Sequence, residues 1–237
     1  MNVSVIYTAV TNGPLTSNFI SRFVVTWMEH PPGYPCDLWV ACNGGQLLPE
    51  QQLMFAPMSA KMFPRVNDPG FDLTGYMDAV RGPCANYDAV LCLGESVYFT
   101  REGWLLRLVE AWTKHGNGFY GPFGSNNSAP HLQTSAFFCS PETLRSYPIR
   151  PQNRAQRFAF EHSDRPLWRR CAERGMPVAA VYWDGEYQPR FWRYPKNILW
   201  RGDQSALLMQ NNHSSAWEKL DALTKHQWSI KADQPYK

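Results

Sequence analysis

The first forty-three residues lay down a strand, a helix and a second strand, and that order restricts the fold more than any other feature of the chain. "VSVIYTAV" (3–10) is a β-branched run closed by the turn signal "TNGP". "SNFISRFVVTWMEH" then sets Phe19, Ile20, Phe23, Val24 and Trp27 at helical spacing, and after the Pro-rich turn "HPPGYP" the run "CDLWVACN" repeats the buried-strand pattern. Strand, helix, strand is the grammar of a parallel sheet. It continues: "YDAVLCLG" reads as a strand. "TREGWLLRLVEAWTKHGNG" carries the apolar stripe Trp104, Leu105, Leu108, Val109 and Trp112, with Thr100 as a candidate cap and Gly116 as a stop. "HLQTSAFFCS" reads as a further strand, and Ser140 followed by Pro141 opens a short helix. Leu167, Trp168, Cys171 and Ala172 share a helix face that Gly175 ends, ahead of a strand from Val178 to Tyr182. Ser215 and Glu218 have capping-box spacing. The expectation is an α/β chain with a mostly parallel central sheet flanked by helices. It reads as one domain over 1–231, with a frayed tail at 232–237.

At 237 residues with 44% apolar side chains, the chain can bury a substantial core. A net charge of +3 is far from that of a dedicated nucleic-acid binder, although arginines concentrate between Arg145 and Arg201. That run reads either as a face for an anionic ligand or as a solvated basic face. The six cysteines form no CxxC pair, and Cys92 and Cys139 sit inside apolar runs, so reduced thiols are expected. With no leader-like N-terminus and no stretch of about 18 apolar residues, a soluble cytoplasmic protein without a membrane span is expected.

In an open α/β sheet, ligands bind beyond the carboxyl ends of the strands, which directs attention to the loops after Val10, Leu93 and Phe138. The polar clusters there are "TNGP", "GESVYF" and "SPET". Neither GxGxxG nor GxxxxGK[ST] occurs, which argues against a dinucleotide dehydrogenase and a P-loop NTPase, and there is no GxSxG elbow.

The segment "RVNDPGFDLTGYMDAVRGPCANYDAVLCLGESV" resembles the donor-site region of family 2 type glycosyltransferases with the GT-A (Rossmann-like) fold, with Asn67, Gly70 and Gly75 in the helix-opening part and "LCLGESV" where those enzymes carry a short acidic motif. "HLQTSAFFCSPETLRSYP" is similar to a segment of rhamnan-synthesis-type glycosyltransferases. "RFAFEHSDRPLWRRCAERGMPVAAVYWDG" resembles the region where a Glu-Asp pair opens a helix. The likeness covers roughly residues 3–212 and implies a nucleotide-sugar donor, UDP- ahead of GDP- or dTDP-linked, with Mn²⁺ or Mg²⁺ on its diphosphate and a saccharide or glycan acceptor.

Carried onto this chain, the resemblance makes Glu95 the acid of the metal and diphosphate site, with Gly94 where a first acid or Asn stands in the family, and His213 a group that completes the metal shell. Arg65 or another base is the alternative, stabilising the leaving group without metal. Glu161 matches the first acid of the Glu-Asp element and becomes the candidate base of an inverting transfer; His162 replaces the second acid and either serves as base itself or orients Glu161. The competing reading of Glu161 is a helix cap. Donor contacts fall to Thr8, Ala9, Val10, Asn12, Asp68, Asp72 and Ser96. Acceptor contacts fall to His131, Gln133 and Thr134, with Trp183, Asp184 and Trp192 as a stacking platform and hydroxyl partner. Asp203 reads either as a late site element or as an N-cap of a helix from Gln204 to Met209. Two other functions stay open: a phage-type glycosyltransferase acting on hydroxymethylated bases in DNA, which suits the arginine-rich half, and an inactive sugar- or nucleotide-binding module, which suits the incomplete acidic motif.

Overall fold

The structure is a computed structural model that describes residues 1–66, 72–126, 129–163, 166–192, 198 and 200–233. The opening unit folds as its pattern requires, with β1 (Val3–Val10), α1 (Thr16–Glu29) and β2 (Asp37–Asn43) in sequence. α1 buries Thr16, Ile20, Phe23 and Trp27 on one face. Then follow α2 (Pro49–Met54), β3 (Lys61–Arg65), α3 (Asp72–Arg81), β4 (Ala89–Leu93), α4 (Trp104–His115) and β5 (Phe119–Gly121). Two short strands, β6 (Gly124–Ser125) and β7 (His131–Leu132), pair with each other and precede β8 (Ala136–Cys139) and α5 (Pro141–Arg145). The remaining elements are α6 (Arg154–His162), α7 (Leu167–Glu173), β9 (Val178–Tyr182), β10 (Gly185–Tyr187), α8 (Asn212–Glu218) and α9 (Ala222–Asp233).

Among the described residues one eight-stranded sheet runs in the order β10-β9-β5-β8-β4-β1-β2-β3. β1 to β4 are mutually parallel where they pair, β5 and β9 point the same way, and β8 and β10 run against them. Much of the aromatic content is core: Tyr7 stacks on Phe23 at 4.0 Å, Phe99 stacks on Trp104 at 4.0 Å, and Trp27 meets Trp104 edge-on. Gly75 permits the close seating of α3 on the sheet, since a Cβ there would stand 2.8 Å from Thr8 Cγ2 and 3.2 Å from Arg65 Nη1. All six cysteines are unpaired, and no described helix is long and apolar enough to cross a membrane.

Several local expectations are corrected. The "HLQTSAFFCS" run is two strands, and β8 is antiparallel to β4, so "SPET" lies at the far end of the sheet and the start of β8 lies beside the end of β4. α4 begins after Gly103, in the left-handed region at φ 83°, rather than at Thr100. No helix runs from Gln204 to Met209: Asp203 Oδ1 accepts from the Ser205 amide in a turn, and Leu207 and Gln210 bridge to Tyr182 and Tyr98. The last stretch is two helices, and the cap is Asn211, whose side chain accepts from the amides of His213 and Ser214.

Candidate active site

A cavity of about 440 Å³ opens beyond the carboxyl end of β4, at the start of β8. Its floor is the Gln133–Ser135 turn, tied to β4 by the Gly94 amide donating to the Ser135 carbonyl at 2.8 Å. α6 forms one wall with Arg154, Arg157, Phe158, Glu161 and His162, and Trp200 and His213 form another. The candidates Glu161, His162, His131, Gln133, Thr134 and His213, scattered over more than eighty residues, therefore line one cavity.

Glu161 does not open a helix. It sits in the last turn of α6, where the helix dipole disfavours an acid, so capping does not explain it. Tertiary contacts hold it there: the Thr134 amide donates to Oε1, and His162 Nε2 lies 3.5 Å from Oε2. Burial pushes the Glu161 carboxyl up, but the hydrogen bond from His162, the nearby His131 and the contacts with Thr134 outweigh it and hold the group at about 2. A carboxylate held that low is a weak proton acceptor at neutral pH. Its geometry suits orienting His162. The His162 ring packs between His131, at 4.0 Å between centroids, and Phe158, at 4.3 Å, and its Nδ1 has no hydrogen-bond partner. Burial and the neighbouring His162 push His131 down to about 4, and its Nδ1 bonds the Ala129 carbonyl. Burial likewise lowers His213, whose ring meets Trp200 edge-on.

The end of β4 holds two carboxylates. Asp72, in the first turn of α3, lies against Gly94 and faces Arg157, whose Nε is 3.4 Å from Oδ1. Burial pushes Asp72 up while Arg157 pulls it down. Burial, and after it the charge of Asp72, also raises Glu95, against a hydrogen bond from the Val10 backbone. The divalent ion implied by the resemblance needs several oxygen ligands. Among the described residues no three His, Cys, Asp or Glu side chains converge on a point that could hold an ion, one of the two acids already faces a guanidinium, and His213 lies near Glu161 and Arg157. The described side chains do not by themselves complete the shell of a resident divalent ion.

Other candidates lie elsewhere. Thr8 and Ala9 are buried in β1, where the Thr8 hydroxyl donates to the Leu93 carbonyl, so only Val10 and exposed Asn12 of that group face the loop. Ser96 offers its carbonyl to Arg22. Arg65 is 5% exposed, and its guanidinium pairs with Asp78 at 2.7 Å and bonds Asn43, which makes it a structural cation beneath the sheet end. Asp68, with Asn67 and Gly70, lies outside the described residues. Trp192 is fully buried, its indole N–H donating to the Tyr187 carbonyl, so it offers no stacking face. Trp183 and exposed Asp184 sit at the β9–β10 turn, on the same end of the sheet but outside the cavity lining, with Arg101 over the Trp183 ring at 4.3 Å.

Sequence reasoning missed Arg157, Phe158 and Trp200 as wall residues. Trp200 adopts a left-handed backbone, φ 70°, which bulky residues avoid unless their surroundings require it. Nothing local in the sequence marks that geometry.

No family model matches the chain, and no curated protein matches it. Among solved structures, a mannosyltransferase from Pyrobaculum calidifontis in complex with GDP-Man and Mn²⁺ superposes with a TM-score of 0.55 at 11% identity, over 98% of this chain and 73% of that one. A glucose-1-phosphate thymidylyltransferase from Bacillus anthracis gives 0.51 at 11% identity, over 100% and 97%, and S. aureus TarS 1-349 gives 0.50 at 12%, over 98% and 70%. The chain spans 60% of the length of the galactosyltransferase LgtC, at a TM-score of 0.44 and 12% identity over 61% of this chain, too loose a superposition to argue from. The mostly parallel sheet flanked by helices is thus the GT-A-like, Rossmann-like fold that glycosyltransferases and nucleotidyltransferases share.

Proposed function

We propose that this chain is a glycosyltransferase that moves a sugar from a nucleoside diphosphate to an acceptor hydroxyl in the cavity beyond β4. The observation that carries the reading is the Glu161–His162 pair, a carboxylate and an imidazole 3.5 Å apart, lining one cavity with two arginines at the carboxyl end of a mostly parallel sheet. In the proposed step Nδ1 of His162, the ring nitrogen that does not face Glu161, takes the acceptor proton as the hydroxyl oxygen attacks the anomeric carbon, which requires the bound acceptor to uncover that buried atom; the bond to the diphosphate breaks and its electron pair leaves with the diphosphate. Glu161 orients the imidazole and stabilises the positive charge it gains. The reading is an inverting transfer; it is supported by Glu161, the one carboxylate among the described lining residues, being already hydrogen-bonded, which disfavours a double displacement through a carboxylate nucleophile.

Phe158 and Trp200 give the cavity aromatic walls suited to sugar rings. A saccharide acceptor is favoured over DNA because much of the arginine-rich half is engaged internally: Arg145 donates to the Val80 carbonyl, Arg150 pairs with Asp78, and Arg169 and Arg170 lie over Trp168 and Tyr147. For the donor, we carry UDP-linked sugars forward as first candidates and add GDP-linked ones, because a mannosyltransferase of similar fold was solved with GDP-Man. The test is slow hydrolysis of UDP-, GDP- and dTDP-sugars without acceptor. Release of one nucleoside diphosphate, lost in His162→Ala, supports an enzyme; donor binding with no release from any donor supports an inactive binding module instead.

A further inference from the structure

We propose that the donor diphosphate is held here by guanidinium groups, Arg157 and Arg154, and that donor binding needs no divalent ion; this rests on the transferase reading above. At the end of β4 the chain has Gly94, and the space beside it is taken by the Asp72 carboxylate. Asp72 faces Arg157, so a guanidinium already stands beside the carboxylate at the end of β4. A divalent ion placed there would meet that guanidinium at short range, which opposes its binding. The cavity reinforces the point: its described charged walls are Arg154, Arg157 and one carboxylate, Glu161, engaged by Thr134 and His162. Arg154 is exposed at the first position of α6 and reaches the same cavity as Arg157 one turn on, so the two forks can grip adjacent phosphate oxygens.

The test is calorimetric titration of the full chain with inorganic pyrophosphate, GDP and UDP, once in EDTA and once in Mn²⁺. The expected result is binding in EDTA within about twofold of that in Mn²⁺, weakened roughly tenfold by Arg154→Gln, the loss of one charge-assisted contact. Arg154 is exposed, so that variant keeps the test open even if Arg157→Gln, which leaves Asp72 unpaired, fails to fold. Binding that vanishes in EDTA and returns with Mn²⁺ overturns the inference and leaves the transferase reading standing. No binding in either buffer also overturns it. Metal-free binding with no sugar transfer from any donor sinks the transferase reading alone.

Discussion

The Asp72 carboxylate rests against Gly94, its Oδ2 3.4 Å from where a Cβ on that glycine would stand. An acid delivered by α3 thus occupies the place beside β4 that the strand's own sequence leaves empty, and Arg157 answers its charge. Gly94→Asp would crowd a further carboxylate against Asp72, at a cost of a few kcal/mol at neutral pH. Its melting temperature should fall, recover partly as the pH drops through the carboxylate range, and rise on adding Mn²⁺, whereas the wild type should show no Mn²⁺-dependent shift. A wild-type shift as large as the variant's would contradict the charge account of this site.

In the proposed mechanism Glu161 and His162 divide the proton chemistry between them. His162→Ala should lower kcat by about 10²–10⁴-fold, the usual range for a lost general base. Glu161→Gln should lower kcat by a smaller factor, on the order of tenfold to a hundredfold, with donor affinity unchanged and partial rescue by Glu161→Asp. Equal or larger damage from Glu161→Gln would return the base role to the carboxylate.

His131 makes stability depend on pH. It stays neutral in the folded chain down to about 4, while the unfolded chain protonates it near its ordinary 6.5. Between those values the unfolded state binds more protons, so this contribution is complete above about 6.5 and is lost as the pH falls toward 4; its size is of order 3 kcal/mol. Chemical denaturation at pH 7 and pH 4.5 should show a smaller difference for His131→Asn than for the wild type. An unchanged difference would remove His131 from the account.

Asp78 bridges Arg65 and Arg150, and Arg65 is nearly sealed from solvent. Asp78→Ala removes the carboxylate that these two guanidiniums share, so a loss of a few kcal/mol is expected, against less than about 1 kcal/mol for Arg150→Ala at the rim. Urea midpoints for the two variants check the ranking.

The sheet was legible because its strands are continuous apolar runs and its helices carry apolar residues at helical spacing, signals that survive in a single sequence. The reversal of β8 was not: "AFFC" is buried throughout and reads the same in either direction, yet its direction decides that Thr134 and Ser135, rather than "SPET", border the site. Glu161 and His162 were singled out through resemblance, but the setting of Glu161 depends on the Thr134 amide, 27 residues away in sequence. Arg157 was one arginine in a basic run, and only its meeting with Asp72, 85 residues apart, distinguishes it from a solvated charge.

The fold is shared by two chemistries that release different products, and this gives the most direct measurement. Phosphorus NMR of the protein incubated with UDP- and GDP-sugars, and separately with nucleoside triphosphates plus sugar 1-phosphates, distinguishes them. The account predicts nucleoside diphosphate from a nucleotide sugar, in EDTA as in Mn²⁺, and its loss in His162→Ala. Pyrophosphate released from a triphosphate, with every nucleotide sugar left intact, would show nucleotidyl transfer and contradict it.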